Sequence, residues 1–167
     1  MSTTIRRGVR DDLPRIVGIY NHYVEQSVAT FDTTTWSAAD RGGWFEAFDE
    51  HRHQLFVLEE DEVVIGYAYS GRLRPRAAYD RSVETSIYLA PAAVGRGLGE
   101  PLYRHLLDAL AATDVHRAYG VITVPNPGSI ALHERLGFTE VGRLTECGHK
   151  FGKWWDVAWL ERPFPPT

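Results

Sequence analysis

Apolar and polar positions alternate along this chain with two periods, one helical and one strand-like. Residues 5–9 read as a short first strand. Asp11 stands as an N-cap, and Leu13, Ile16, Val17, Tyr20 and Val24 then recur at helical spacing, with Asn21-His22-Tyr23 near the end of that helix. Residues 30–36 are polar and β-branched and predict an extended loop carrying Phe31. Ser37 and Asp40 have capping-box spacing and predict a helix to about Glu50, with Trp44, Phe45 and Phe48 on its apolar side. Residues 54–59 and 63–72 predict a hairpin around the acidic turn Glu60-Asp61. A basic loop, residues 74–80, leads into a strand over 83–89, where Glu84, Ser86 and Tyr88 share one face and Thr85, Ile87 and Leu89 the other. Pro91 ends it. Leu98, Leu102, Leu106 and Leu110 form one helical stripe, with Pro101 tolerated in the first turn. Residues 118–124 read as a β-branched apolar strand broken by Pro125-Asn126-Pro127, and 129–136 as a short helix ended by Gly137. Residues 139–151 and 154–162 predict a last strand pair joined at Gly152, and 163–167 a frayed tail. Helices among strands that pair both locally and across crossovers predict one α/β (α+β) domain over residues 1–167 with a central sheet.

Composition narrows the function. At 167 residues, 44% apolar and 24% charged, the chain suits one domain with a real core. A net charge of −4 and the lack of long basic runs argue against nucleic acid or an anionic membrane surface as partner. No apolar segment approaches the roughly 20 residues needed to span a bilayer, and the N-terminus lacks the apolar core of a signal peptide. The single cysteine, Cys147, excludes an internal disulfide and fits a cytoplasmic protein.

The chemistry concentrates after the strand over 83–89. Gly95, Gly97 and Gly99 make a loop whose backbone can turn sharply and approach a ligand. Strand, loop and helix N-terminus aim unpaired N–H groups and a partial positive charge at one point, which suits a phosphate or pyrophosphate. A Rossmann fingerprint needs glycine where Glu100 stands, and no Gly-Lys-Ser/Thr triplet forms a Walker loop. Taken alone, the three glycines are also compatible with a flexible turn.

In its setting, the loop Val94-Gly95-Arg96-Gly97-Leu98-Gly99 resembles the pyrophosphate loop of the GNAT superfamily of acetyl-CoA-dependent N-acetyltransferases. Val94 stands where the superfamily usually carries Gln or Arg. The helix begun at Asn126-Pro127-Gly128-Ser129 and ending His133-Glu134-Arg135-Leu136-Gly137-Phe138 resembles its second motif, with His133 where many members have tyrosine. With Glu84, Asn21-His22-Tyr23, Arg76-Ala77-Ala78-Tyr79-Asp80, Glu84-Thr85-Ser86-Ile87-Tyr88 and His149-Lys150-Phe151-Gly152-Lys153-Trp154-Trp155-Asp156, the resemblance reaches the phosphinothricin and methionine sulfone/sulfoximine acetyltransferases. It implies a GNAT fold: a mixed, mostly antiparallel sheet of about seven strands, the fourth and fifth splayed around acetyl-CoA. It implies cofactor contacts from Ile87, Tyr88, Leu89, Val94, Gly95, Arg96, Gly97, Leu98, Gly99, Asn126 and Ser129. It implies a substrate pocket of Phe31, Arg74, Arg76, Tyr79, Ser86, Tyr88 and Val121, and no metal.

Two residues carry the proton chemistry in that reading. Glu84 is otherwise a solvent-facing strand carboxylate; beside an ammonium substrate it serves as general base. His133 donates a proton to the leaving thiolate, shares the base role, or is an ordinary helix histidine. The two arginines would supply planar donor forks to an anionic amino acid. Glu50, His51 and His53 lack a further partner for a metal site. Cys147 lacks an activating neighbour in sequence, and direct transfer needs no nucleophile. Trp154, Trp155 and Trp159 alternate with charges on a late strand and suggest a homodimer contact. Acetylation of another amine such as a protein N-terminus, which needs an open groove for peptide, and a non-catalytic CoA-binding sensor are the competing functions.

Overall fold

Residues 2–165 are described by a computed structural model of the chain. Its strands are β1 (Thr3–Arg7), β2 (Leu55–Glu60), β3 (Val63–Arg72), β4 (Ser82–Leu89), β5 (Arg117–Val124), β6 (Thr139–Lys150) and β7 (Lys153–Pro163). They form one seven-stranded sheet in the order β1-β2-β3-β4-β5-β7-β6. Every neighbouring pair is antiparallel except β4 with β5. The helices are α1 (Leu13–Gln26), α2 (Gly42–Glu46), α3 (Gly99–Ala111) and α4 (Pro127–Arg135).

The leucine stripe explains why α3 lies flat on the sheet. Leu102, Leu106 and Leu110 are fully buried against Phe56, Ala68, Val83 and Ala118. Each such leucine contributes about 1.5–3 kcal/mol of burial. On the opposite face, Ile16 and Ile19 of α1 pack with Leu55, Val57 and Tyr67, and Trp44, Phe45 and Phe48 close that layer. Lys150 is buried at the end of β6. Its ammonium donates to the carbonyls of Ser27 (2.7 Å), Thr30 (2.8 Å) and Tyr23 (3.4 Å), which ties down the loop after α1.

The feature that matters most for function is a split in the sheet. β4 pairs with β5 only through Ser82↔Arg117, Val83↔Ala118 and Glu84↔Tyr119. Beyond Glu84, β4 keeps its ladder with β3 and β5 keeps its ladder with β7, so the two halves part. The facing edges are left without a strand partner, and apart from the Leu89 carbonyl, which accepts the Tyr23 hydroxyl, their N–H and C=O groups are available to a ligand.

Several expectations change in detail. Ser37 and Asp40 do bond reciprocally, but the helix after them spans only Gly42–Glu46. Two adjacent glycines weaken its start, and the Asp49 carboxylate accepts the N–H groups of His51 and His53, which turns the chain. The first hairpin turns at Asp61-Glu62, both with positive φ (49° and 67°), one residue later than the acidic pair expected. The tail is partly anchored: Pro163 still pairs in β7, and Phe164 is 3% exposed with its N–H on the His116 carbonyl. Residues 166–167 lie outside the described residues. Among the described residues, no helix is long and apolar enough to cross a membrane.

Candidate active site

The split between β4 and β5 opens a cleft of about 520 Å³. Ile87, Tyr88 and Leu89 form one wall; Val121, Ile122 and Thr123 form the other. The glycine loop closes one end. Gly95 and Gly97 adopt φ of 78° and 74°, a region that side chains resist, and the loop runs directly into α3. The N-terminus of α3 has no side-chain cap, so its N–H groups remain available at the cleft. At the far side α4 starts at Asn126, whose side chain accepts the Ser129 N–H at 3.2 Å. An anion-binding loop beside an apolar slot with two strand edges fits the pyrophosphate and thioester arm of acetyl-CoA.

Of the cofactor positions expected, Ile87, Tyr88, Leu89, Val94, Gly95, Gly97, Leu98, Gly99, Asn126 and Ser129 all line this cleft. Arg96 does not: it turns outward onto Glu60, with one guanidinium contact at 3.1 Å. Tyr23 and Leu132 also line the cleft. Tyr23 is drawn there by its hydroxyl, which donates to the Leu89 carbonyl, a long-range contact without a local sequence signal.

A second cavity of about 570 Å³ lies on the α1–α2 side of the sheet. Arg41, Trp44, Phe48, Tyr69, Arg72 and Glu84 line it. Ser86 belongs to the walls of both cavities and marks where they meet. Among the described residues, no side chain or backbone N–H donates to the Glu84 carboxylate. Burial pushes its pKa up from the usual carboxylate range, and the nearby Arg74 charge pulls it partly back. This is an unengaged carboxylate of raised basicity at the junction of two cavities.

His133 is held differently. Its Nδ1 faces the Ser129 carbonyl at 2.7 Å, which fixes the proton there. Its Nε2 faces the Tyr103 hydroxyl at 3.0 Å, and Tyr103 in turn meets Thr85 at 2.6 Å. Burial lowers the pKa of the imidazole, so the neutral form is favoured. The ring packs on Gly120, where a Cβ would stand 2.7 Å from it. Both nitrogens are therefore committed, which disfavours the donor role expected for a free histidine. The Tyr103 contact has no local signal, because that residue lies 30 positions away.

The expected substrate residues divide. Ser86 and Tyr88 sit at the junction and on the cleft wall, and Val121 faces them. Phe31 is 37% exposed and covers the face of Gly148. Arg74 is exposed, with its guanidinium 5.9 Å from the Trp159 ring. Arg76 and Tyr79 are exposed on the loop before β4 and do not reach either cavity wall. Arg72, on β3, does line the second cavity, as do Arg41, Trp44, Phe48 and Tyr69; the sequence marked Trp44 and Phe48 only as the apolar side of a helix and none of the five as a site residue. Strand alternation carries part of that signal: Tyr69 pairs with Ser86 across β3 and β4, and Gly71 with Glu84.

Comparison with known proteins supplies the family. The model of the acetyltransferase (GNAT) domain matches residues 5–159. The chain belongs to the GNAT acetyltransferase family. It is 46% identical over 162 residues to a phosphinothricin N-acetyltransferase of Streptomyces coelicolor, covering 95% of each chain. It is 34% identical to an L-methionine sulfoximine/L-methionine sulfone acetyltransferase of Pseudomonas aeruginosa, covering 100% of this chain and 98% of that one. A crystal structure of a GNAT phosphinothricin acetyltransferase from Sinorhizobium meliloti, in complex with acetyl-CoA, superposes with a TM-score of 0.93 at 37% identity, covering 100% of this chain and 94% of that one. The split sheet is thus the GNAT fold that the glycine loop and second motif led one to expect.

Proposed function

We propose that this GNAT enzyme transfers an acetyl group from acetyl-CoA directly to the α-amine of a small amino-acid analogue such as phosphinothricin, methionine sulfone or methionine sulfoximine. The observation that carries this reading is the junction at Ser86, where the cleft suited to acetyl-CoA meets a cavity holding an unengaged Glu84. Acetyl-CoA supplies the acetyl group as an activated thioester. Gly95, Gly97 and the start of α3 hold its pyrophosphate, while the edges of β4 and β5 hold its arm.

An α-amine arrives protonated, and its nitrogen is not a nucleophile until a proton leaves. Glu84 takes that proton. Its raised pKa makes it a better base than a solvent carboxylate, and the second cavity keeps it close to the substrate. Arg74, near enough to act on Glu84, supplies a cation for the substrate's own carboxylate. His133 shapes the cleft through Gly120 and Tyr103, and a thiolate leaves without its help. The exposed apolar side chains Val141, Leu144, Phe151 and Trp154 on β6, β7 and the turn between them form the contact face of a homodimer. An exposed free Cys147 suits the reducing cytoplasm.

The test is a panel of amines assayed by release of CoA thiol. Phosphinothricin, methionine sulfone and methionine sulfoximine should outpace a peptide N-terminus and a simple alkylamine. Preference for the peptide would overturn the substrate reading.

A further inference from the structure

The second cavity contains a cation whose hydrogen-bonding capacity the fold leaves unspent. Arg41 has a side chain only 16% exposed. Its guanidinium lies 4.4 Å from the centre of the Trp36 ring, 4.6 Å from Tyr20 and 5.5 Å from Trp44. Stacking of this kind fixes the plane of the group and keeps water off its faces, while the N–H donors at its edge stay available.

The neighbouring carboxylate does not use those donors. Asp32 Oδ2 stands 3.6 Å from Arg41, an ion pair without a hydrogen bond. That same oxygen accepts the Tyr20 hydroxyl at 2.5 Å and the Trp36 indole N–H at 3.1 Å. Among the described residues, the Arg41 guanidinium donates no hydrogen bond. A guanidinium held flat between rings, with an idle donor edge on a cavity wall, is placed to meet a ligand's acceptor oxygens.

Arg41 and Glu84 line one cavity, and Tyr69 is close enough to feel both charges. Trp44 and Phe48 give the same wall an apolar surface. A substrate with its amine at Glu84 would lay a short hydrocarbon stem along these rings. Its far end would meet Arg41. A planar donor fork matches a terminal group that offers two acceptor oxygens.

We propose that Arg41 is a specificity-determining residue that recognises an oxygen-bearing group at the end of the substrate's side chain, such as a phosphinate, sulfone or sulfoximine. This rests on the acetyltransferase reading above. It assigns to Arg41 a discrimination separate from the grip on the α-carboxylate by Arg74.

The test compares methionine sulfone and phosphinothricin with methionine and norleucine, which lack the oxygens, in the wild-type enzyme and in Arg41→Gln and Arg41→Lys. In Arg41→Gln, kcat/KM for the two oxygenated substrates should fall about 10- to 150-fold, mostly through KM, the usual worth of a charge-assisted pair. Methionine, norleucine and the KM for acetyl-CoA should move less than about twofold. Arg41→Lys, which keeps the charge without the fork, should fall between. Equal losses on oxygenated and apolar substrates, or unfolding of both variants, would assign Arg41 to the fold and overturn the proposal. Unchanged kinetics on all four would overturn it as well. A wild-type enzyme inactive on every α-amine would instead remove the underlying reading, and the proposal with it.

Discussion

At the scale of single residues, the claim is that Glu84 titrates and His133 does not. Strand alternation put Glu84 on one face with Ser86 and Tyr88 but left it a solvent-facing carboxylate, and the family resemblance singled it out; both ends of that face border the candidate site. Its freedom from hydrogen bonds was not legible, since that depends on what β3 and α2 bring across from it. His133 was singled out by the resemblance alone, and its commitments come from Tyr103 and the Ser129 carbonyl, which only the fold brings together. Arg41 escaped notice because a lone arginine before two glycines reads as solvated surface; only the stack of Tyr20, Trp36 and Trp44 gives it meaning. These placements make the pH–rate profile of kcat/KM informative. Activity should be lost on acidification as Glu84 protonates, at a pH above the usual carboxylate range because burial favours the neutral acid. Glu84→Gln should cost about 10²- to 10⁴-fold, recover in part at high pH where more amine is already neutral, and lose that acid limb. Arg74→Ala removes the charge that favours ionised Glu84, so the limb should move to higher pH. His133→Gln should leave the limb in place; its disappearance in that variant would make His133 the base.

At the scale of elements, strand, glycine loop and helix act as one device. The leucine stripe anchors α3, and its burial fixes where the uncapped N-terminus points. Amphipathic period and loop glycines marked a possible phosphate loop in the sequence, and the resemblance to the GNAT pattern made it the cofactor cleft. Arg96 was the exception, because its partner Glu60 comes from β2. The short α2 was the other misreading, since a capping box signals a start but says nothing of length. The loop predicts a specific loss. In Gly97→Asp, an aspartate must adopt a φ near 74° and bring a negative charge to the pyrophosphate. Calorimetry should find acetyl-CoA binding abolished, with the fold intact by circular dichroism. Unchanged affinity would remove the loop from the cofactor site.

At the scale of the whole molecule, the sheet is two ladders that share three residue pairs and then part. The parting puts one cavity on each side of Ser86, an arrangement that suits the proposed direct transfer between two substrates held at once. Periodicity could not reveal this split, because the strands on either side look complete; the resemblance of the loop and second motif to the GNAT pattern is what implied it. Cys147, the one residue with thiol chemistry, lines neither cavity. The most direct measurement is the initial-velocity pattern with acetyl-CoA and the amino acid varied together. Direct transfer at the junction predicts reciprocal plots that intersect, the mark of a complex holding both substrates. Parallel lines, together with a burst of CoA thiol released before any amine is added, would mean an acetylated enzyme and would contradict transfer across Ser86.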